Sequence, residues 1–224
     1  MNIETHDKAM TPAMGLALAA NFGSVDRWRA EFVAMAEALG CGPGWTGLFF
    51  MPLQGSLVNL AAAGHAGPPA GAVLMLELDM SRIAGRLGQG AAVRAAIDAF
   101  MADIHWGAVY ARYQVAVHAA SEPFSASPDD VAGAVLLDVR RAGVFDTATT
   151  MLPGAQWRDP AMVAEWATEI SPQREVVVYC VYGHEVGRAT ALRLRAAGLK
   201  ARFLGGGFDE WQKAGRLVAA KAVA

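Results

Sequence analysis

The chain has 224 residues, 54% of them hydrophobic, which is enough for one large core or two small ones. Its 19 basic and 21 acidic residues give a formal charge of -2 without a basic stripe, which argues against binding to nucleic acid. Glycine, proline or charge interrupts each apolar stretch before it reaches membrane-spanning length, so we expect no membrane association. Two cysteines, Cys41 and Cys180, do not form a disulfide framework, and the first residues lack a basic region, so we expect a cytoplasmic protein.

The first half of the chain has the pattern of an α+β domain. Ser24 is a predicted helix N-cap, and strand-like runs follow at 45–51, 56–62 and 72–78 with turn residues between them. A further helix is predicted over 91–104. The apolar stripe of the first helix consists of Val25, Trp28, Phe32, Met35 and Leu39. A helix, a three-stranded antiparallel meander and further helices together predict an α+β layout.

Several short motifs occur in this half in a fixed order. They are Asn21-Phe22-Gly23-Ser24, Gly44-Trp45, Asp79, Ile104-His105-Trp106 and Arg112-Tyr113. Over residues 10–115 they resemble the C-terminal domain of iron/manganese superoxide dismutases. In that family the third strand ends in Asp-x-Trp-x-His, and its Asp and His are two of the four metal ligands.

The metal-binding pattern of the family is largely lost in this sequence. The corresponding segment is Asp79-Met80-Ser81-Arg82-Ile83, so Asp79 is the only matching ligand position. A lone carboxylate does not hold a redox metal, so we expect a degenerate dismutase-like domain with no metal and Asp79 as a strand-end or helix-capping group. The resemblance also implies a homodimer through this domain, although Arg82 replaces the family's dimer-bracing Glu.

The composition changes sharply after residue 117. Serine, proline and acidic residues replace the periodic apolar residues over 118–130. Such a change is typical of a domain boundary. We therefore predict a first domain over 1–117, a linker over 118–130 and a second domain over 131–224.

The second half is organised around one β-branched run that stops at a cysteine. Residues 175–179 have the pattern of a buried strand, Cys180 follows, and a Gly183-containing loop leads to a helix that ends at Gly198. This places a thiol at the carboxyl end of a strand and before a helix N-terminus, where backbone N–H groups favour an anion. We therefore expect a lowered cysteine pKa and a reactive thiolate. The alternative is a buried, inert cysteine.

Strands alternate with helices throughout this half, which predicts a parallel sheet covered on both faces. Four motifs occur in order: Leu137-Asp138-Val139-Arg140, Leu152-Pro153-Gly154-Ala155, Val178-Tyr179-Cys180 with Gly183, and Leu204-Gly205-Gly206-Gly207-Phe208 with Trp211 and Gly215. With these motifs the second half resembles the rhodanese domain along its whole length. The resemblance implies that Cys180 is the nucleophile that takes a sulfane sulfur. It also implies that the loop cradles this sulfur through Val181, Tyr182, Gly183, His184, Glu185 and Val186.

The loop departs from relatives that use thiosulfate well, because those usually carry basic residues here. His184 is the one basic candidate in this loop. It either assists proton transfer or binds an anion when protonated, or it is a solvated loop histidine. Glu185 would repel a dianionic donor and raise the pKa of the thiol. Arg188, three residues later on the helix, is predicted to pair with Glu185 and so offset this effect.

Three further side chains are candidates for supporting roles. Asp138 and Arg140 lie at the end of a neighbouring strand, where they either brace the loop through a salt bridge or are surface charges. Tyr182 either shapes the mouth of the pocket or is a partly packed aromatic residue.

Three functions remain open at this point. The leading hypothesis is a sulfurtransferase or persulfide carrier that acts through Cys180 without a cofactor. Its partners would be a small or protein persulfide as donor and a thiol or cyanide as acceptor. The alternative is a non-catalytic rhodanese-like protein that binds a partner. A metal-dependent superoxide dismutase is the third, and the ligand count opposes it.

Overall fold

The computed structural model describes residues 8–40, 42–84 and 91–221, and its chain divides into two compact units. The first unit comprises Met1–Met51 and Leu57–Tyr113. The second comprises Gln114–Ala224 and the short segment Pro52–Ser56. Across the described ranges, none of the helices has the length and apolar character needed to cross a membrane.

The first unit has the predicted α+β architecture. Its elements are α1 (Pro12–Phe22), α2 (Val25–Leu39), β1 (Gly44–Met51), β2 (Ser56–Ala63), β3 (Val73–Asp79), α3 (Met80–Ala84), α4 (Ala91–Ala102) and α5 (Trp106–Ser121), whose last turns lie in the second unit. The strands form a sheet in the order β2-β1-β3, and β1 pairs antiparallel with β3. The predicted fold class of this half is confirmed.

An aromatic cluster forms the centre of the first unit. Trp28 and Phe32, both from the predicted stripe of α2, are almost completely buried. The Trp28 ring lies 5.2 Å from that of Trp106 in an edge-on arrangement, and the Phe32 ring stacks on Phe100 at 6.1 Å. The Ser24 side chain accepts a hydrogen bond from the Arg27 amide, as expected of an N-cap.

The second unit is built on a parallel sheet. Its elements are a 3₁₀ turn (Glu122–Phe124), β4 (Ser125–Ala126), β5 (Val135–Asp138), α6 (Ala142–Thr147), β6 (Thr150–Met151), β7 (Gln156–Trp157), α7 (Val163–Trp166) between two 3₁₀ turns (Pro160–Met162 and Ala167–Glu169), β8 (Glu175–Tyr179), α8 (Glu185–Ala196), β9 (Lys200–Leu204), α9 (Gly207–Lys213) and β10 (Ala219–Ala220). The sheet order is β4-β9-β8-β5-β7 with parallel pairing throughout, and β6 and β10 form a separate antiparallel pair.

Strand β8 is central and is buried on both faces. Val176 and Val178 belong to one hydrophobic cluster, whereas Val177 and Tyr179 belong to a second cluster. A strand covered on both faces needs a continuous apolar run, which explains the β-branched sequence before Cys180. The predicted α/β fold with a parallel sheet is confirmed.

The residues predicted as a linker contain regular structure. Helix α5 extends to Ser121, and β4 pairs with β9 so that Ser125 and Ala126 face Phe203 and Leu204. Ala126 is almost completely buried. The polar segment 118–130 therefore contains an edge strand of the parallel sheet.

Candidate active site around Cys180

Cys180 directly follows the central strand at the carboxyl edge of the parallel sheet. This is the edge at which open α/β sheets bind ligands. The loop after Cys180 turns at Gly183, where φ is +68°, and α8 begins at Glu185 with His184 as its N-cap residue. The predicted strand, cysteine, loop and helix are therefore all present. Only 6% of the Cys180 surface is exposed.

Backbone N–H groups converge on the sulfur. The amides of Tyr182, Gly183, His184 and Gly187 donate to the Cys180 sulfur, and the thiol lies 3.9 Å from the carbonyl oxygen of His184. Converging amides form an anion-binding nest. They favour a negatively charged sulfur at this position.

The resting thiol nevertheless remains protonated, contrary to the sequence-based expectation of a lowered pKa. Burial raises the pKa of the Cys180 thiol above its usual range and outweighs the four amides, which act in the opposite direction. The desolvation of a thiolate disfavours the charged form. The prediction from the loop was wrong in sign because it did not include the depth of the sulfur.

The other residues predicted in the loop differ in how far they are exposed to solvent. Tyr182 is 56% exposed, and its ring lies 5.7 Å from that of His184, which is also exposed. Val181 and Val186 are half-buried. The Val181 carbonyl accepts a hydrogen bond from the Asp209 amide. The geometry thus places the two aromatic rings of the loop toward solvent.

Glycines let a second helix approach the loop, a feature the sequence analysis did not identify. The amide of Phe208 donates to the Cys180 carbonyl at 2.9 Å. Gly207, at φ +60°, lies so close that a Cβ atom there would be 2.5 Å from the same carbonyl oxygen. A Cβ atom on Gly187 would lie 3.4 Å from the Cys180 sulfur. The run Gly205-Gly206-Gly207 was the available signal for this close approach.

Arg188 does not pair with Glu185, in contrast to the prediction. Its Nε donates to the Gly183 carbonyl at 2.8 Å, and its Nη1 donates to Ser121 Oγ at 3.2 Å and to Glu122 Oε2 at 2.9 Å. The guanidinium also lies over the Phe203 ring at 4.1 Å. Arg188 therefore fixes the loop to the end of α5, and its hydrogen-bond and ion-pair partners are groups other than Glu185.

Glu185 is buried and incompletely hydrogen-bonded. Only 6% of its surface is exposed, and its Oε2 atom has no hydrogen-bond partner. It is the first residue of α8, where the helix N-terminus favours a carboxylate. Arg188 does not pair with Glu185. The favourable charge interaction of the Glu185 carboxylate is therefore with the N-terminus of α8.

Asp138 and Arg140 form a buried ion pair rather than surface charges. Arg140 donates from Nε and Nη2 to both carboxylate oxygens of Asp138, and Nη2 also donates to the Thr150 carbonyl at 2.9 Å. The Tyr179 hydroxyl donates to Asp138 Oδ2 at 2.9 Å and accepts from the Leu152 amide at 3.1 Å. Burial, together with Asp138, raises the pKa of Tyr179, so its hydroxyl remains protonated. This network holds the residue that precedes Cys180.

The residues around Asp79 do not fit a metal ion. Asp79 Oδ1 accepts hydrogen bonds from the Ser81 amide at 2.9 Å and the Ser81 hydroxyl at 2.5 Å, and Arg82 Nε lies 3.4 Å from Oδ2. The hydrogen bonds from Ser81 lower the pKa of Asp79. Asp79 therefore caps α3. Within the described ranges, no three His, Cys, Asp or Glu side chains come together as a metal site, and Cys41 lies outside those ranges.

The first half is similar to curated superoxide dismutases. An iron superoxide dismutase from Cupriavidus metallidurans is 45% identical over 105 residues, which are 47% of this chain and 53% of that protein. The manganese superoxide dismutase 2 of Halobacterium salinarum is 33% identical over 102 residues, which are 45% of this chain and 50% of that protein. The chain thus spans about half the length of the curated relatives it matches.

The second half matches a different family. Residues 124–214 match the model of the rhodanese-like domain. Among solved structures, a rhodanese-related protein from Thermoplasma volcanium is 19% identical, with a TM-score of 0.38, over 42% of this chain and 96% of its own. A Lactobacillus plantarum protein is 23% identical, with a TM-score of 0.40, over 45% of this chain and 90% of its own. Residues 124–214 thus match the rhodanese-like domain, and the preceding half is similar to iron and manganese superoxide dismutases.

Proposed function

We propose that the protein is a sulfurtransferase that carries a sulfane sulfur on Cys180. The Cys180 thiol first loses its proton to water. The thiolate attacks the outer sulfur of a donor, the bond from that sulfur to the rest of the donor breaks, and the donor leaves as a thiolate or sulfite. Cys180 then carries a persulfide. A thiol or cyanide attacks its terminal sulfur and releases the Cys180 thiolate.

The observation that carries this proposal is the set of four amides around the sulfur. Because the thiol is buried and its pKa is raised, these amides have little negative charge to stabilise in the resting protein. A persulfide adds a negatively charged sulfur beyond the Cys180 sulfur, and the same amides would then stabilise that charge. The loop is therefore better matched to the loaded cysteine than to the free one.

The buried carboxylate of Glu185 bears on the choice of donor. Arg188 is engaged by the Gly183 carbonyl, Ser121 and Glu122, so its charge is partly compensated before any donor arrives. Thiosulfate is a dianion and would be repelled by the Glu185 carboxylate, with which Arg188 does not pair. We therefore propose a low-molecular-weight or protein persulfide as the donor.

A non-catalytic role in partner binding is the second candidate, and the burial of the thiol favours it. A cysteine that is 6% exposed and protonated has the properties of an inert core residue. In that case the exposed rings of Tyr182 and His184 would contact the partner.

Turnover with cyanide separates the two candidates. The protein is incubated with glutathione persulfide or with thiosulfate in the presence of cyanide, and thiocyanate is measured over time. Sulfur transfer predicts thiocyanate production that is faster with the persulfide and is lost in Cys180→Ser. Production at the uncatalysed rate with both donors, on folded protein, would instead support partner binding.

A further inference from the structure

An open pocket beside the Cys180 loop takes most of its lining from a helix outside the rhodanese-like domain. Its volume is about 360 Å³, and its lining residues are Gln114, Val115, His118 and His184. The first three lie on the last turns of α5, whereas the domain match begins at residue 124. Most of the pocket lining therefore lies outside the stretch that matches the rhodanese-like domain.

His184 connects the pocket to the sulfur. Its backbone amide donates to the Cys180 sulfur, its carbonyl oxygen lies 3.9 Å from the thiol, and its side chain lines the pocket. The ring of His118 lies 6.2 Å from the ring of His184. A molecule in the pocket would thus lie next to the residue that contacts the reacting sulfur.

Arg188 connects the loop to the end of α5, the helix that carries His118. This arginine holds Ser121 and Glu122, at and just after the end of α5, and also the Gly183 carbonyl in the loop. His118 lies one helical turn before Ser121, and the Ser121 hydroxyl donates to the His118 carbonyl at 3.2 Å. The same contacts therefore join the loop to the last turn of α5, next to His118.

The chemistry of the lining suits an uncharged nucleophile. Burial lowers the pKa of His118, as do Arg188 and His184, whereas Glu185 and Glu122 act in the opposite direction. The imidazole is therefore neutral near pH 7 and can accept a proton. Gln114 adds an amide and Val115 an exposed apolar surface, and the volume is at the small end of ligand pockets.

We propose that this pocket binds the low-molecular-weight thiol that accepts sulfur from Cys180, with His118 as the group that receives the thiol proton. This inference rests on the proposed sulfurtransferase function. The acceptor thiol transfers its proton to His118, and the resulting thiolate attacks the terminal sulfur of the Cys180 persulfide. A new sulfur–sulfur bond forms on the acceptor while the Cys180 bond to that sulfur breaks. The electron pair returns to Cys180 as a thiolate among the loop amides.

The test separates loading of Cys180 from its discharge. The protein is loaded with glutathione persulfide, freed of donor, and mixed at pH 8 with either glutathione or sulfite. The loss of the added sulfur is followed by intact mass. Sulfite serves as the reference because it attacks as an anion that has no proton to lose. The variants are His118→Gln and His118→Phe, with the exposed His65→Gln as the matched control.

The inference predicts that both His118 variants load normally and discharge to glutathione about tenfold or more slowly, as loss of a proton acceptor would cause. Discharge to sulfite should change by less than about twofold, and His65→Gln should match the wild type in both reactions. Equal discharge to glutathione in the wild type and the His118 variants would overturn the inference and leave sulfur carriage intact. So would an equal slowing with both acceptors, which indicates a structural role. Failure of the folded wild type to load from any donor would remove both proposals.

Discussion

The sulfur of Cys180 experiences two opposing influences. Burial favours the neutral thiol, whereas four backbone amides favour a negative charge, and in the resting protein burial has the larger effect. The sequence indicated the amides through the glycine loop and the following helix. It could not indicate the burial, because that depends on how the loop and α9 pack over the strand end.

The raised pKa of Cys180 makes a prediction about alkylation. The reaction with iodoacetamide should be slow at pH 7 and should keep rising past pH 8.5, the usual pKa of a thiol, because only the thiolate reacts. Rates are measured by peptide mass spectrometry, so that Cys41 is scored separately, with free glutathione as the reference thiol. A rate that levels off below pH 7 would show that the amides outweigh burial.

The Asp138–Arg140 pair makes a prediction about stability. Asp138→Asn leaves a buried arginine without its bidentate partner and should lower the free energy of unfolding by about 3–5 kcal/mol. The control is Asp129→Asn, whose carboxylate is 84% exposed beside Arg216, with an expected change below about 1 kcal/mol. Unfolding in urea measures both. Equal effects would contradict the buried network.

At the scale of elements, the carboxyl end of β8 is enclosed by two helices. Helix α8 supplies the amides that face the sulfur, and α9 begins against the Cys180 carbonyl through the Phe208 amide. The first contact is local in sequence, and the strand, cysteine, loop and helix were therefore all predicted. The contact between α9 and the Cys180 carbonyl depends on residues far along the chain. The glycine run before α9 was its only signal in the sequence.

The approach of α9 makes a prediction about glycines. Gly207→Ala places a Cβ atom 2.5 Å from the Cys180 carbonyl oxygen at φ +60°, whereas Gly215→Ala has a similar φ of +67° with open space around it. Both variants share the strain of a positive φ, so their difference isolates the clash. We expect Gly207→Ala to be less stable than Gly215→Ala by about 2 kcal/mol or more in urea unfolding. Equal stabilities would show that α9 does not approach the loop this closely.

The wrong predictions in the site share one physical cause. Arg188 was assigned to Glu185 because the two lie on one helical turn, but Ser121, Glu122 and the Gly183 carbonyl are its partners. Two of these three come from a distant segment that only the fold brings near. For the same reason the sequence leaves open whether Asp138 and Arg140 form a bracing salt bridge or are surface charges, since nothing local shows that a strand end is covered.

At the scale of the whole molecule, a half that is similar to superoxide dismutases precedes a stretch that matches the rhodanese-like domain. The resemblance to dismutases implies two metal ligands at the end of β3, of which the sequence keeps one. Asp79 is retained but caps α3 through Ser81. The family's other position in this segment is Ile83, which has no metal-binding atom.

This loss makes a prediction about metal content. Purified protein should contain far less than one iron or manganese per chain, because one carboxylate does not satisfy a redox metal. Elemental analysis after expression with either metal added gives the content, and a superoxide assay on the same sample gives the activity. A stoichiometric metal with dismutase activity would contradict the assignment of Asp79 as a helix cap.

The most direct test of the central claim is the intact mass of the protein after exposure to a sulfur donor. Wild type and Cys180→Ser are incubated side by side with glutathione persulfide or thiosulfate, and excess donor is removed. We predict one added sulfur on the wild type, more complete with the persulfide, absent from Cys180→Ser and lost on addition of cyanide. A folded wild type that gains no sulfur from either donor, or a Cys180→Ser variant that gains it equally, would contradict the proposal that Cys180 carries sulfur.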